Sequence, residues 1–269
     1  MRFQNAYYSI GYLDRLSYQD TFLHRLDPRA KVISTIVFLL AVISYPKYEV
    51  AALLPFFLFP VLLMTLGDIP AGYVLKRIVM VSPFAVLVGI FNPLLDRSAA
   101  LEVMGFTLSG GWVSFFSIML KFTLSISAAL LLVATTSFPG VCSALRQFGL
   151  PRIFTTQLIF LYRYMFVLME EALRILRARD LRSFGGRGTG TGVFVRLVGM
   201  LFLRTMSRAD RIYNAMLSRG FQGDIPTMTR RRPGPGDLLF ALSMLAFLAA
   251  CRLLPVTDMI GRYIQGVLA

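Results

Sequence analysis

Five apolar stretches constrain this chain more than any other feature of its sequence. They cover residues 28–45, 50–66, 76–90, 112–138 and 238–254. A helix needs roughly 20 apolar residues to cross the hydrocarbon core of a bilayer. With 56% hydrophobic and 16% charged residues and a mean hydropathy of +0.66, the chain lies outside the usual composition of soluble domains. The sequence therefore predicts an all-α integral membrane protein with about five transmembrane helices.

Local signals define parts of these spans. Asp27 is well placed as an N-cap, with Pro28 at the first helical position, so the first span begins there. Pro55 and Pro60 predict a kink in the second span. The fourth span is the longest, and we expect it inside the bundle because its small hydroxylated residues allow close helix packing. These residues are Ser114, Ser117, Ser125 and Ser127.

A long basic segment separates the fourth and fifth spans. Residues 138–236 contain sixteen arginines and five acidic residues, so +11 of the formal net charge of +14 falls here. Positively charged segments stay in the cytoplasm, which predicts that the N-terminus lies inside and the C-terminus outside. Anionic lipid headgroups and an acidic protein surface are favoured over nucleic acid as partners, because the charges lie along helices attached to a bilayer.

These signals predict three parts of the chain. Residues 1–138 hold an N-terminal interfacial segment and four transmembrane helices. Residues 139–236 form a cytoplasmic domain of two long helices, and residues 237–269 hold the last transmembrane helix and a tail.

The two cytoplasmic helices are predicted from apolar residues that recur every three or four positions. The first helix ends in Ala178-Arg179-Asp180 and the second in Ser218-Arg219-Gly220. Glycines follow both ends, where left-handed helix C-caps are commonly found. The first apolar stripe comprises Leu158, Leu161, Tyr162, Met165, Leu168, Met169, Ala172, Leu173 and Leu176, and the second comprises Val198, Leu201, Phe202, Thr205, Ala209, Ile212, Tyr213 and Met216.

Arg179 and Arg219 admit two interpretations. A cation near a helix C-terminus is favoured by the helix dipole by about 0.3–1 kcal/mol, which is a purely structural role. However, the same arrangement occurs twice, forty positions apart, each time at the end of an amphipathic helix. A guanidinium there can make bidentate bonds to a carboxylate of a docking protein, so the repetition favours docking.

Few other residues are candidates for chemistry. Lys121 is the only basic residue deep in a predicted span, which makes it a functional candidate, although a lysine that snorkels or pairs with an interfacial acid is an equal alternative. The lone His24 could form an acid-base pair with Asp27, but a single histidine near a helix start is usually structural. The glycine-rich run in residues 185–192 lacks the Gly-Lys-Ser/Thr ending of a P-loop, so we interpret it as a flexible joint. We therefore predict no catalytic residue, no metal site and no cofactor.

The two arginine motifs resemble those of the transmembrane T component of energy-coupling factor (ECF) transporters. Residues 215–223 and the segment Leu26-Asp27-Pro28-Arg29-Ala30-Lys31 are most similar to its cobalt and nickel branch, the CbiQ proteins. The resemblance covers essentially the whole chain, but Asp180 stands where the family often has a small residue.

The resemblance implies a non-catalytic scaffold that joins a substrate-binding membrane subunit to a pair of cytoplasmic ABC-type ATPases. The expected ATPase-docking residues are Ala178, Arg179, Asp180, Ser218, Arg219 and Gly220. The apolar stripes would pass the movement of the ATPases to the substrate-binding subunit, which itself holds the ion.

The expected function is therefore cobalt(II) uptake that feeds cobalamin synthesis. One alternative in the same class is nickel uptake or a T component shared by several vitamin-binding subunits. Another is an integral-membrane, lipid-modifying enzyme whose arginines bind headgroup phosphates, for which the sequence offers no general base.

Overall fold

Contacts between residues divide the chain into two units. The computed structural model describes residue 14 and residues 16–47, 49–95, 99–103, 106–183, 190–223 and 234–253. We call the described part of Arg15–Ser137 and Arg231–Ala269 the bundle unit, and that of Met1–Asp14 and Phe138–Arg230 the helix-pair unit. Apart from one short hairpin, the described elements are helices, which confirms the all-α expectation.

The described elements occur in the following order along the chain. They are α1 (Pro28–Ser44), a 3-10 helix (Ala51–Phe57), α2 (Leu58–Gly67), α3 (Ala71–Gly89), α4 (Phe91–Leu95), β1 (Ala99–Val103), β2 (Phe106–Ser109), α5 (Gly110–Thr135), α6 (Phe138–Gln147), α7 (Arg152–Arg182), α8 (Thr191–Leu217) and α9 (Pro235–Leu253).

Three helical stretches are long and apolar enough to cross a membrane, judged by length and composition. They are Ala71–Pro93, Gly110–Thr135 and Pro235–Leu253. The first and second predicted spans are also helical, but over the shorter stretches Pro28–Ser44 and Ala51–Gly67. That these two cross the membrane remains a prediction.

The prolines of the second span produce a change of helix type. Pro55 lies inside the 3-10 helix, and Pro60 is the third residue of α2. Proline has no amide N–H, so it fits best where the chain lacks a regular α-helical hydrogen bond. At these prolines a 3-10 segment continues directly into an α-helix, and the kink itself stays a prediction.

Several features of the fold were not predicted from the sequence. Strands β1 and β2 pair antiparallel within a region that the sequence assigned to a loop. The fourth span ends at Thr135, and a separate helix, α6, begins at Phe138. The third span starts at Ala71 rather than Lys76, so that lysine lies within the helix.

Helix α5 is the centre of the bundle unit, as predicted. It contacts α1, α2, α3 and α4. Ser114, Ser117 and Ser127 on α5 are buried. Gly89 allows a close approach between α3 and α5, because a Cβ atom there would lie 2.9 Å from Cδ2 of Phe115.

The helix-pair unit is dominated by α7 and α8, which have 31 and 27 residues. At 1.5 Å per residue they are about 46 and 40 Å long. The N-terminal half of α7 lies beside the C-terminal half of α8, and the C-terminal half of α7 lies beside the N-terminal half of α8. The two helices therefore cross in antiparallel directions.

The predicted stripe on α7 is correct only in part. Leu161, assigned to the stripe, is 63% exposed, whereas Ile175, which was left out, is buried. An apolar stripe on a helix is at least about 100° wide, so residues at its edges can be exposed. The sequence pattern therefore locates the buried face only to within about one residue.

Candidate functional site

An ion cluster joins α7 and α8 where they cross. One carboxylate oxygen of Glu171 accepts a hydrogen bond from Arg204 (2.7 Å), and the other accepts from Arg208 (3.4 Å). Glu171 is on α7 and both arginines are on α8, one turn apart. The hydrogen bond from Arg204, followed by the charges of Arg204, Arg208 and Arg174, holds the pKa of the Glu171 carboxyl below its usual value against a smaller opposing effect of burial. Glu171 is therefore ionised at neutral pH and holds the two helices together at one point.

The first arginine motif lies in the last turn of α7. Arg179 donates from Nε to Oδ1 of Asp180 at 3.0 Å, and Nη2 donates to the same oxygen. The side chain of Arg179 is 31% exposed and that of Asp180 is 61% exposed. Asp180 thus orients the guanidinium from one side and leaves its other donors available.

The second motif forms a Schellman C-cap. The amide of Phe221 donates to the carbonyl of Met216 (3.0 Å), and the amide of Gly220 donates to the carbonyl of Leu217 (2.9 Å). Gly220 has φ +78°, in the left-handed region that glycine adopts without strain. The predicted glycine cap is therefore confirmed here, and it leaves Arg219 exposed at the tip; Gly185 and Gly186 lie outside the described residues.

The Schellman cap also folds the chain back onto α7. The ring centroids of Phe221 and Phe160 are 6.1 Å apart. Both rings line an apolar cavity of about 440 Å³ between α7 and α8, together with Tyr164, Ile212 and Met216. The end of α8 is therefore anchored to the first half of α7.

The two tips lie at opposite ends of the helix pair. Arg179 is about 12 Å beyond Glu171 along α7, and Arg219 is about 16 Å beyond Arg208 along α8, at 1.5 Å per residue. Since the helices run in opposite directions from the crossing, the motifs are on the order of 20–30 Å apart. They present two separate docking points and not one composite site.

Helix α8 exposes a continuous apolar face. None of the described residues of α8 is buried. On one face of the helix, six large apolar side chains are between 47% and 66% exposed. They are Val195, Val198, Phe202, Met206, Tyr213 and Leu217. Contiguous exposed apolar surface of this kind marks an interaction site.

Lys121, the candidate inside a span, has a structural partner. Its Nζ donates to the carbonyl of Tyr45 at 2.6 Å. Tyr45 is the C-cap of α1, where helix carbonyls lack partners within the helix. This contact favours the structural interpretation of Lys121.

Lys31 makes the reverse contact. It is only 4% exposed, and its Nζ donates to the carbonyl of Thr135, the last residue of α5, at 2.8 Å. His24 reaches the neighbouring carbonyl of Ala134 through Nε2 (3.2 Å), while Nδ1 lies 2.7 Å from the Thr21 hydroxyl. Burial lowers the pKa of His24, so the neutral ring donates from Nε2 and accepts at Nδ1. Helices α1 and α5 thus cap each other with lysines.

Asp27 and Asp237 link two helix N-termini. Asp27 is the N-cap of α1, as predicted, and its carboxylate accepts from the amide of Arg29. Its own amide donates to Oδ1 of Asp237 (2.6 Å), whose Oδ2 accepts from the amide of Gly234 at the start of α9 (2.7 Å). Asp27 and His24 therefore serve separate contacts and do not form an acid-base pair.

Sequence reasoning missed Glu171, Arg208 and Asp237. The signal for Glu171 was its rarity as one of five acids among sixteen arginines in residues 138–236. Nothing in the sequence marked Asp237 as the partner of a residue 210 positions away. Within the described ranges, no group of three or more His, Cys, Asp or Glu side chains is arranged to hold a metal ion.

Comparison with known proteins gives a family match over most of the chain. The family model CbiQ, described as a cobalt transport protein, matches residues 19–230. The matched region includes both arginine motifs, the ion cluster and Lys121.

Individual relatives align over similar lengths. An uncharacterized protein of Methanocaldococcus jannaschii is 28% identical over 230 residues, covering 82% of this chain and 78% of that protein. The cobalt transport protein CbiQ of Salmonella typhimurium is 27% identical over 229 residues, covering 79% and 97%. The energy-coupling factor transporter transmembrane protein EcfT of Streptococcus thermophilus is 28% identical over 225 residues, covering 76% and 82%. The similarity therefore extends well beyond the two motifs.

Proposed function

The chain belongs to the CbiQ family of cobalt transport proteins, and from that premise we propose that it is the transmembrane coupling subunit of an ECF-type ABC importer. It links ATP hydrolysis by cytoplasmic ATPase subunits to the movement of a substrate-binding membrane subunit. The cargo is cobalt(II), and the subunit itself catalyses no reaction. The helix pair lies on the cytoplasmic side of the inner membrane.

The arrangement of the two tips is the observation that supports this role best. Arg179 and Arg219 stand at opposite ends of two crossed helices that Glu171 joins at one point. Each ATPase of a dimer binds one tip through Ala178-Arg179-Asp180 or Ser218-Arg219-Gly220. A change in the distance between the ATPases then alters the angle between α7 and α8.

The exposed face of α8 supports the second half of the mechanism. Phe202, Met206 and Tyr213 lie on the helix that ends in the second motif. A substrate-binding subunit that packs on this face is moved whenever the angle of α8 changes. Apolar packing suits this role because it is not directional and permits sliding.

The decisive experiment is copurification of the chain with its ATPases in mild detergent. Arg179→Glu combined with Arg219→Glu should abolish association, since reversed charges repel the acidic groups that the arginines bind. The matched control is Arg177→Glu with Arg211→Glu, which makes the same change at exposed positions of the same helices. Both variants should insert into the membrane normally. If the motif variant still retained the ATPases while the control behaved like wild type, the docking role would be wrong.

A second measurement separates the cargoes. Metal analysis of the complex purified with its substrate-binding subunit should find cobalt, whereas nickel or a bound vitamin would favour the related alternatives. A T component shared by several vitamin-binding subunits stays a second candidate. The relative that supports it is the energy-coupling factor transporter transmembrane protein EcfT of Streptococcus thermophilus, which aligns with 76% of this chain. Turnover of a lipid by the isolated chain would favour an enzyme instead.

A further inference from the structure

A second cavity, of about 540 Å³, lies between the C-terminal half of α7 and the N-terminal half of α8. Four arginines line it: Arg174, Arg179 and Arg182 from α7, and Arg204 from α8. No acidic side chain lines this cavity among the described residues. The fold therefore concentrates guanidinium groups around one hollow.

The rest of the cavity wall is mostly apolar. Ile175, which is buried, and Ala178 form the α7 side. Val193, Leu197 and Met200 form the α8 side. A ligand that fills this cavity must combine a negative group with an apolar one.

The arginines keep donors for such a ligand. Arg174, Arg179 and Arg204 each form an ion pair with a carboxylate of the helix pair, but a guanidinium has five N–H donors, so each retains some. Within the described ranges Arg182 makes no ion pair. Guanidinium groups match the geometry of phosphate oxygens, to which they donate in pairs.

We propose that this cavity binds an anionic phospholipid. Its phosphodiester lies among Arg174, Arg182 and Arg204, and the start of an acyl chain lies against Ile175 and Leu197. Anionic headgroups are abundant at the surface of the membrane in which the chain resides, and basic segments next to a membrane attract them. A bound lipid of this kind would fix the separation of α7 and α8 on the side of the first motif.

Other anions fit the cavity less well. A single carboxylate from a protein partner satisfies one guanidinium and leaves the apolar wall uncovered. A nucleotide base stacks on aromatic rings, and none lines the cavity in the part of the chain that the structure describes. The combination of phosphate and alkyl chain in one ligand uses both kinds of wall.

Native mass spectrometry of the detergent-purified chain tests this inference. Phosphatidylglycerol and diphosphatidylglycerol should remain bound, and phosphatidylcholine should not. Arg174→Gln with Arg182→Gln should weaken anionic lipid binding at least about tenfold, because two basic contacts are lost. Arg177→Gln with Arg211→Gln removes the same charge from exposed positions outside the cavity and should leave binding nearly unchanged. Neither pair includes a docking arginine, so ATPase copurification should survive in both.

Three results would overturn the inference. In one, the cavity variant binds anionic lipid as well as wild type does. In another, inorganic pyrophosphate binds in a manner that depends on Arg174 and Arg182 while lipids do not, which assigns the cavity to a soluble anion. In the third, the cavity variant loses the ATPases and wild type binds no lipid, which assigns these arginines to the protein interface. If only the Arg179→Glu with Arg219→Glu variant loses the ATPases, ATPase docking and lipid binding are separate properties of the helix pair.

Discussion

In the bundle unit, charged side chains bond to the backbone at several helix ends, whereas in the helix-pair unit the backbone itself closes the end of α8. Lys31, Lys121 and Asp237 each satisfy carbonyl or amide groups that a helix terminus leaves without partners. In contrast, Gly220 closes α8 through a Schellman cap. The guanidinium of Arg219 is consequently not needed for the fold.

This difference explains why similar residues have different roles in one chain. Within a lipid bilayer no water can satisfy an exposed helix end, so polar side chains must supply the bonds. The end of α8 is closed by its own backbone, so the charge of Arg219 is available to a partner. Changes in the bundle should therefore affect stability, and changes at the tips should affect association.

The largest effect on stability is expected from Asp237→Ala. The substitution removes two bonds from backbone amides to one buried carboxylate, at the N-termini of α1 and α9. Hydrogen bonds to charged groups contribute about 1.5–3 kcal/mol each, so we expect a loss of about 3 kcal/mol. Thermal unfolding in detergent should show a midpoint about 6–12 °C lower.

Asp210→Ala is the matched control for that substitution. Asp210 is exposed on α8, and a surface change of this kind should stay within about 0.5 kcal/mol. If Asp237→Ala and Asp210→Ala had equal unfolding midpoints, the contrast between the bundle unit and the helix-pair unit would be wrong.

Lys31→Met comes next in size. Methionine fills a similar volume but cannot donate to the carbonyl of Thr135, and an unsatisfied buried acceptor costs about 1–3 kcal/mol. Lys76→Met changes an exposed lysine of α3 and should have little effect on the unfolding midpoint. If Lys31→Met unfolded at the wild-type temperature, the capping role of Lys31 would be wrong.

The sequence predicted most helices of the bundle, because apolar runs and the Asp27-Pro28 pair are local signals. It did not predict the partner of Lys121. The carbonyl of Tyr45 lies 76 positions away, and a backbone acceptor carries no mark in the sequence. The β1–β2 hairpin was missed because a short pair of strands has a weak pattern compared with an apolar helix.

The candidate site was predicted to a similar extent. Repetition marked Arg179 and Arg219, and the glycine pattern marked the cap at Gly220. The role of Glu171 depends on how α7 crosses α8, and the crossing is set by packing between distant segments. The docking roles themselves remain predictions until the assembled complex is tested.

Gly220→Ala tests whether the tip serves association and not stability. A residue with a Cβ atom at φ +78° costs about 1–2 kcal/mol, which should loosen the Schellman cap and shift Arg219. ATPase affinity should fall about fivefold or more, because 1.4 kcal/mol is a factor of ten. Titration of the purified ATPases against the chain in nanodiscs measures this.

The control at another glycine of α8 is Gly199→Ala. Gly199 is inside the helix, with open space where a Cβ would lie, and alanine is the better helix former there. ATPase affinity should remain at the wild-type level. A loss of affinity in both variants would point to α8 as a whole and not to its cap.

The smallest effect concerns the ion cluster, where charged side chains of the helix-pair unit join α7 to α8. The pKa of Glu171 is lowered chiefly by the hydrogen bond from Arg204, so the interaction is fully present above the ordinary value of 4.5 and is lost as pH falls through the lowered value. Spin labels at Arg177→Cys and Arg211→Cys, with Cys142→Ser and Cys251→Ser, report the separation of α7 and α8. The distance distribution should be narrow and constant at neutral pH and should broaden in acid below 4.5. Glu171→Gln should give a broad distribution that does not change with pH. An acid-dependent broadening that persists in Glu171→Gln would mean that another group joins the helices.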